Sequence, residues 1–259
     1  MGLAPDGRKK IVDCRLTPAT TRYIFSPRSV ERWGATVATV KPYNAKWNKN
    51  EKLVKTQGTG AYNIVGFGLP ADYNFLDVNL VRRNTCPGAL ACRAVCYAKQ
   101  GGYRYPASKA ARAHNLALSQ QDAFVSLVVA DLKRMRAANT VRIHDSGDFY
   151  SQEYFNKWCD IARALPYLTF YAYTKSLTLD LSGAPENFKV TQSLGGKHDN
   201  LVNLGKPHSR IFTSHDDRER AGYVDGNLTD AYAIEGEQKI GLVYHGGKNL
   251  TEGQKKYFR

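Results

Sequence analysis

The chain has 259 residues, with 37 Lys and Arg against 23 Asp and Glu, for a formal net charge of +14. That length can bury a large core without disulfide staples, and near-average Gly and Pro content argues against global disorder. No run approaches the roughly 18 apolar residues of a spanning helix, and no apolar stretch follows the basic "GRKK" near the start, so neither a membrane span nor a signal peptide is expected.

Residues 1–83 read as irregular, with short β-like pieces such as Tyr62–Ala71, and are expected to form an N-terminal segment packed on the core. Residues 84–259 are expected to carry the main α/β domain, the two parts making one structural unit. "NTCPGALACRAVCYAKQGG" (84–102) then crowds three of the five cysteines into eleven residues. After it the pattern becomes regular. Ser119, three residues before Asp122, looks like the opening of a capping box, with Phe124, Val128, Leu132 and Met135 at helical spacing behind it. Thr140–Asp145 is β-like and ends in the turn "SGD". A helix follows, with Phe155, Trp158, Cys159 and Ala162 on one face and Pro166 closing it. Further β-like runs are Leu168–Lys175, Asn187–Ser193, Arg210–His215 and Ile240–Gly246. Helix and strand alternating over short connections predicts right-handed βαβ units and a parallel sheet.

Each β-like run ends in polar residues or glycine: Asp145, Ser146 and Asp148; Lys175 and Ser176; Ser193, Gly195 and Gly196; His215 and Asp216; His245 and Gly246. Parallel α/β folds bind ligands at the carboxyl ends of their strands, so these residues are candidates for one shared site. Asp148 follows Gly147, which permits close backbone approach, and Lys175 closes an otherwise apolar strand. Both are candidate catalytic or ligand-holding residues. His144, alone in a strand, reads as a core histidine.

The cysteine spacing is Cys86-x5-Cys92-x3-Cys96. Paired C-x2-C units typical of zinc are missing, and a disulfide framework fits neither the odd count nor a cytosolic chain of this size. Three close cysteines without a near fourth are the pattern of an iron–sulfur cluster with one iron left open. The expectation is therefore a metal centre on Cys86, Cys92 and Cys96, most simply a 4Fe-4S cluster, with zinc and reduced structural thiols as the alternatives. Cys159 reads as a buried apolar residue, and Cys14 is a candidate fourth ligand.

"LPA" (69–71), "TCPGALACRAVCYA" (85–98), "VRIHDSGDFYSQEYFNKW" (141–158), "FYAYTKS" (170–176) and "IGLVYHG" (240–246) together resemble the bacteriophage "gene product 88" family, from about residue 60 onward. That resemblance implies a phage protein in the cytoplasm of an infected bacterial host and supplies no reaction. More distantly, a cysteine triplet ending in "CYA", a glycine–acid turn and a strand ending in "TK" look like radical S-adenosylmethionine enzymes. Their usual spacing is C-x3-C-x2-C, with an aromatic residue before the last cysteine; here Val95 precedes Cys96 and Tyr97 follows it. The likeness implies an incomplete parallel β/α barrel, TIM-barrel-like, with the cluster at the strand ends. It also implies that S-adenosylmethionine is held by Ser146, Gly147 and Asp148, with Ser193 a further contact.

Two functions follow as expectations. In the first, a cluster-dependent enzyme, radical or otherwise, takes a small molecule at the open iron, with Asp148 and Lys175 holding ligand groups. In the second, a metal-stabilised and non-catalytic protein uses its positive surface to bind nucleic acid or a host protein.

Overall fold

A computed structural model describes residues 45–48 and 62–244. The expectations for Cys14 and for the strand end at His245 and Gly246, and the basic run near the start, lie outside the described residues.

In chain order the strands are β1 (Trp47–Asn48), β2 (Ile64–Phe67), β3 (Asn74–Leu76), β4 (Arg82–Asn84), β5 (Thr140–Ile143), β6 (Thr169–Thr174), β7 (Phe188–Ser193), β8 (His208–Phe212), β9 (Val224–Asp225) and β10 (Lys239–Val243). The helices are α1 (Pro106–Ser119), α2 (Phe124–Arg134), α3 (Gln152–Ala164), α4 (His215–Arg220) and α5 (Ala231–Glu235). Eight strands make one sheet in the order β1-β2-β5-β6-β7-β8-β10-β9, while β3 and β4 form a separate hairpin. Among the described residues of this sheet only β1 runs antiparallel to its neighbour; the remaining pairs are parallel.

The α/β class and the mostly parallel sheet expected from the sequence are thus present. The sheet is open, with β1 and β9 at its edges. From β2 to β8 its strands follow one another in sequence order, and right-handed crossovers in one direction put the connections on one face. Packing bears this out. Val65, Phe67, Val141, Ile143, Phe170, Ala172 and Phe188 join Leu116, Phe124, Val128, Phe155, Trp158 and Cys159 in a single core. Trp158 sits at its centre, in edge contact with Phe67 and Phe124 at 5.1 and 5.5 Å between ring centroids.

The opposite face carries a smaller cluster, Ile64, Tyr171, Ala233, Ile234 and Ile240. Beside it lies an ion pair that the sequence did not announce. Arg142 points away from the main core and meets Asp230 at 2.5 Å, and the Tyr171 hydroxyl donates to the same carboxylate oxygen at 2.7 Å. Both charged groups are buried.

Local chemistry explains most element boundaries. Pro106 opens α1, where its missing N–H costs nothing. The Ser151 side chain accepts from Tyr154 N at 3.2 Å and caps α3, with Glu153 in the first turn. Ser119 does not cap a helix: it is the last residue of α1, and its hydroxyl bonds back to Leu116 O and across to Tyr150. The capping-box spacing was coincidental, because the Ala-rich run before it already carries the chain as helix.

His144 follows β5 and is buried among Phe67, Phe149 and Tyr154, its Nε2 2.9 Å from the Tyr154 hydroxyl. Burial pulls its pKa down from 6.5 to about 3, so the folded state holds it neutral where the unfolded chain protonates it. Its contribution to stability is full above pH 6.5 and is lost as pH falls toward 3. Replacing His144 with Gln is expected to flatten the acid side of the stability profile between about pH 6.5 and 4, measured by urea unfolding at each pH.

Candidate functional site

The turn after β5 is built from side chains that each hold a second segment. Ser146 receives Leu69 N at its carbonyl (2.8 Å), and its hydroxyl donates to Leu69 O at 2.6 Å. Gly147 lies at φ +83°, and a Cβ there would sit 2.7 Å from the Leu69 side chain, so glycine is required twice over. Asp148 N donates to Thr85 O at 2.6 Å, tying the turn to the start of the cysteine segment. The Asp148 carboxylate accepts from Phe149 N, from the Thr174 hydroxyl and from Lys175 N at 2.7, 2.6 and 2.8 Å. Burial pushes this carboxyl up, and those three bonds pull against the shift.

Asp145 is fixed from the helical side. Arg112 of α1 bridges Asp145 Oδ2 (2.7 Å) and the Ser146 hydroxyl (2.8 Å), and the Tyr97 hydroxyl donates to Asp145 O at 2.6 Å. Burial raises the Tyr97 phenol, and that of Tyr103 to about 12, so both rings stay neutral. Arg112 and Tyr97 are site residues that sequence reasoning missed. Arg112 lies in an unremarkable alanine-rich helix, whereas Tyr97, directly after Cys96 in "CYA", was visible but unassigned.

Lys175 follows β6 and is buried. Its ammonium donates to the Ser193 hydroxyl at 2.6 Å and to Leu194 O, drawing the end of β7 to the end of β6. Burial lowers its pKa, opposed by Cys92, Asp148 and Asp199 nearby. Of the predicted residues, Ser146, Gly147, Asp148, Lys175 and Ser193 are therefore brought together at the carboxyl edge. His215 and Asp216 instead open α4.

The cysteine segment is clamped onto this edge by glycines. A Cβ on Gly88 would fall 1.9 Å from Lys175 O, and one on Gly196 would fall 2.8 Å from Gly88 O. Ala89 bridges Gly196, Ala91 N donates to Gly195 O, and Lys197 holds Gly88 O and Pro87 O through its N–H and its ammonium. Asp199 takes the N–H groups of Gly195 and Gly196, fixing the loop from the other side.

Cys86, Cys92 and Cys96 lie in this clamp as free, half-buried thiols. The iron–sulfur cluster expected on them, and the zinc alternative, are not supported. Among the described residues no group of three or more His, Cys, Asp or Glu side chains is placed to hold a metal ion. The local chemistry agrees. Cys86 Sγ accepts from Asp72 N at 3.3 Å, and burial, with the Asp148 charge, pushes its pKa up to about 12. Burial also raises the Cys96 thiol. Metal binding needs thiolates, and burial disfavours that form at Cys86 and Cys96.

A family model described as Gene product 88 matches residues 38–256, so the chain belongs to that family, as its motifs suggested. The Gene 88 protein of Mycobacterium phage D29 is 27% identical over 192 residues, covering 64% of this chain and 76% of the relative. The Gene 88 protein of Mycobacterium phage L5 is 28% identical over 192 residues, covering 64% and 77%. No solved structure matches.

Gly88→Ala should force the cysteine segment off the Lys175 carbonyl and cost about 1–3 kcal/mol, as overpacking does. Gly183→Ala is the control, since a Cβ there meets nothing within 4 Å. Urea unfolding of both variants checks the difference.

Proposed function

We propose that this Gene product 88 family member binds a small anionic ligand at the carboxyl edge of its parallel sheet, with Lys175 as the group that meets the anion. One observation carries this reading. An ammonium has three N–H donors; two of those on Lys175 are placed on Ser193 and Leu194, and the third has no acceptor among the described residues. A buried cation with a free donor, at the strand ends where parallel α/β folds take ligands, suits a phosphate or carboxylate.

The one-directional strand order supports the further reading of the sheet as a segment of β/α-barrel winding, in which carboxyl ends carry the site. Asp148 acts here as a positioning residue, holding the Lys175 backbone rather than touching the ligand. S-adenosylmethionine is not the ligand proposed: the Asp148 carboxylate is buried and is already engaged by three groups of its own chain, Phe149 N, the Thr174 hydroxyl and Lys175 N. The place of action proposed is the cytoplasm of an infected bacterial cell. The family includes mycobacteriophage proteins, and among the described residues no helix is long and apolar enough to cross a membrane.

Inorganic phosphate is the first probe. At millimolar concentration it is expected to raise the Tm of the wild-type protein by about 3 °C or more, through binding to the folded state alone. Lys175→Met should lose that shift while remaining folded by circular dichroism. An equal shift in the variant, or none in the wild type, would overturn the reading.

A further inference from the structure

Between Asp77 and Asp122 the sequence contains no Asp or Glu but seven Lys or Arg. This stretch runs from the β3–β4 hairpin through the cysteine segment into α1, so a large share of the net charge of +14 sits in one part of the fold. Acids from outside it neutralise some of the cations. Asp77 pairs with Arg83, Asp72 with both Arg93 and Lys99, and Asp145 with Arg112. Arg82, Arg104 and Lys109 are exposed and have no carboxylate partner among the described residues.

The same stretch exposes aromatic rings. Tyr97 is 57% and Tyr105 67% exposed, and Tyr73, beside the Asp72 that ties hairpin to cysteine segment, is 53% exposed. Tyr97 is also held in place, because its buried hydroxyl donates to Asp145 O and its ring packs edge-on against Tyr103. Tyr103 in turn carries the Arg112 guanidinium 4.3 Å over its face. Tyr97 is thus anchored yet more than half exposed. Exposed rings, one of them anchored, interspersed with unpaired cations are the arrangement that single-stranded nucleic acids recognise: bases stack on the rings and phosphates meet the cations. Duplex bases are already stacked and could use only the charges.

We propose that the surface running from Tyr73 and Arg82 across Tyr97 to Tyr105 and Lys109 binds single-stranded nucleic acid without strict sequence preference. This surface is distinct from the Lys175 site, and either can fail without the other.

The test is fluorescence anisotropy with labelled 20-mers of oligo-dT and oligo-rU, and with a 20-bp duplex, at two salt concentrations. Single strands are expected to bind more tightly than the duplex. Tyr105→Ala should weaken that binding at least about fivefold. Arg104→Ala should weaken it and lower the salt slope by about 0.7. Lys206→Ala, an exposed cation outside this surface, should change neither. A preference of dT over rU, or the reverse, would identify which single strand is bound. Equal affinity for duplex and single strand, an equal effect of Lys206→Ala, or binding to anionic vesicles but to neither 20-mer would overturn the proposal.

Discussion

The Asp148 carboxylate is the constraint on which the carboxyl edge depends. It is buried, and it accepts three hydrogen bonds, two of which join the turn after β5 to the end of β6. Removing a buried charge from water is costly unless donors replace the water, and here two backbone N–H groups and one hydroxyl do so. The Lys175 main chain is fixed as a result, and Lys175 O becomes the surface on which Gly88 lands. From there the order passes outward to Gly196, the 195–199 loop and the cysteine segment. A single carboxylate thus sets the geometry of three chain segments that are far apart in sequence.

Two consequences follow for the groups near it. The Asp148 charge and burial act together to hold Cys86 as a thiol. The same burial opposes the charge of Lys175, while Asp148 and Asp199 nearby favour it. The edge therefore places the buried Lys175 ammonium close to the cysteine segment. On the outer side of the cysteine segment the character reverses. There the side chains are exposed tyrosines and cations, positioned by Tyr97 and Arg112 reaching inward to Asp145. The segment so has two faces, one clamped against the strand ends and one exposed.

Much of the frame was legible in the sequence. The alternation of Phe170, Ala172 and Thr174 with Tyr171 and Tyr173 marks a strand with two buried faces, and the Phe155, Trp158, Cys159 and Ala162 face marks α3; all lie where expected. Polar residues at the strand ends also converge as the parallel-sheet rule predicts. Other features depend on contacts across long sequence separations, which periodicity does not record. Arg142 looked like one polar residue within a strand, yet it pairs with Asp230 across 88 positions. Ser119 matched a cap by spacing alone. The cysteine triplet has the density of a ligand set, but density says nothing of protonation. Protonation depends on the desolvation supplied by the clamp and on the charge of Asp148, 62 residues beyond Cys86.

The central claim is that burial and the Asp148 charge hold Cys86 as a neutral thiol against the Asp148–Lys175 edge. The most direct measurement is the alkylation rate of each cysteine by iodoacetamide in the native protein across pH 7 to 10, read by peptide mass spectrometry. Thiolate is the reacting form, so Cys86 should be slowest throughout, far behind its rate in urea, with no change on adding a chelator. Protection of all three cysteines that a chelator releases, or Cys86 reacting as fast as it does in urea, would contradict the account.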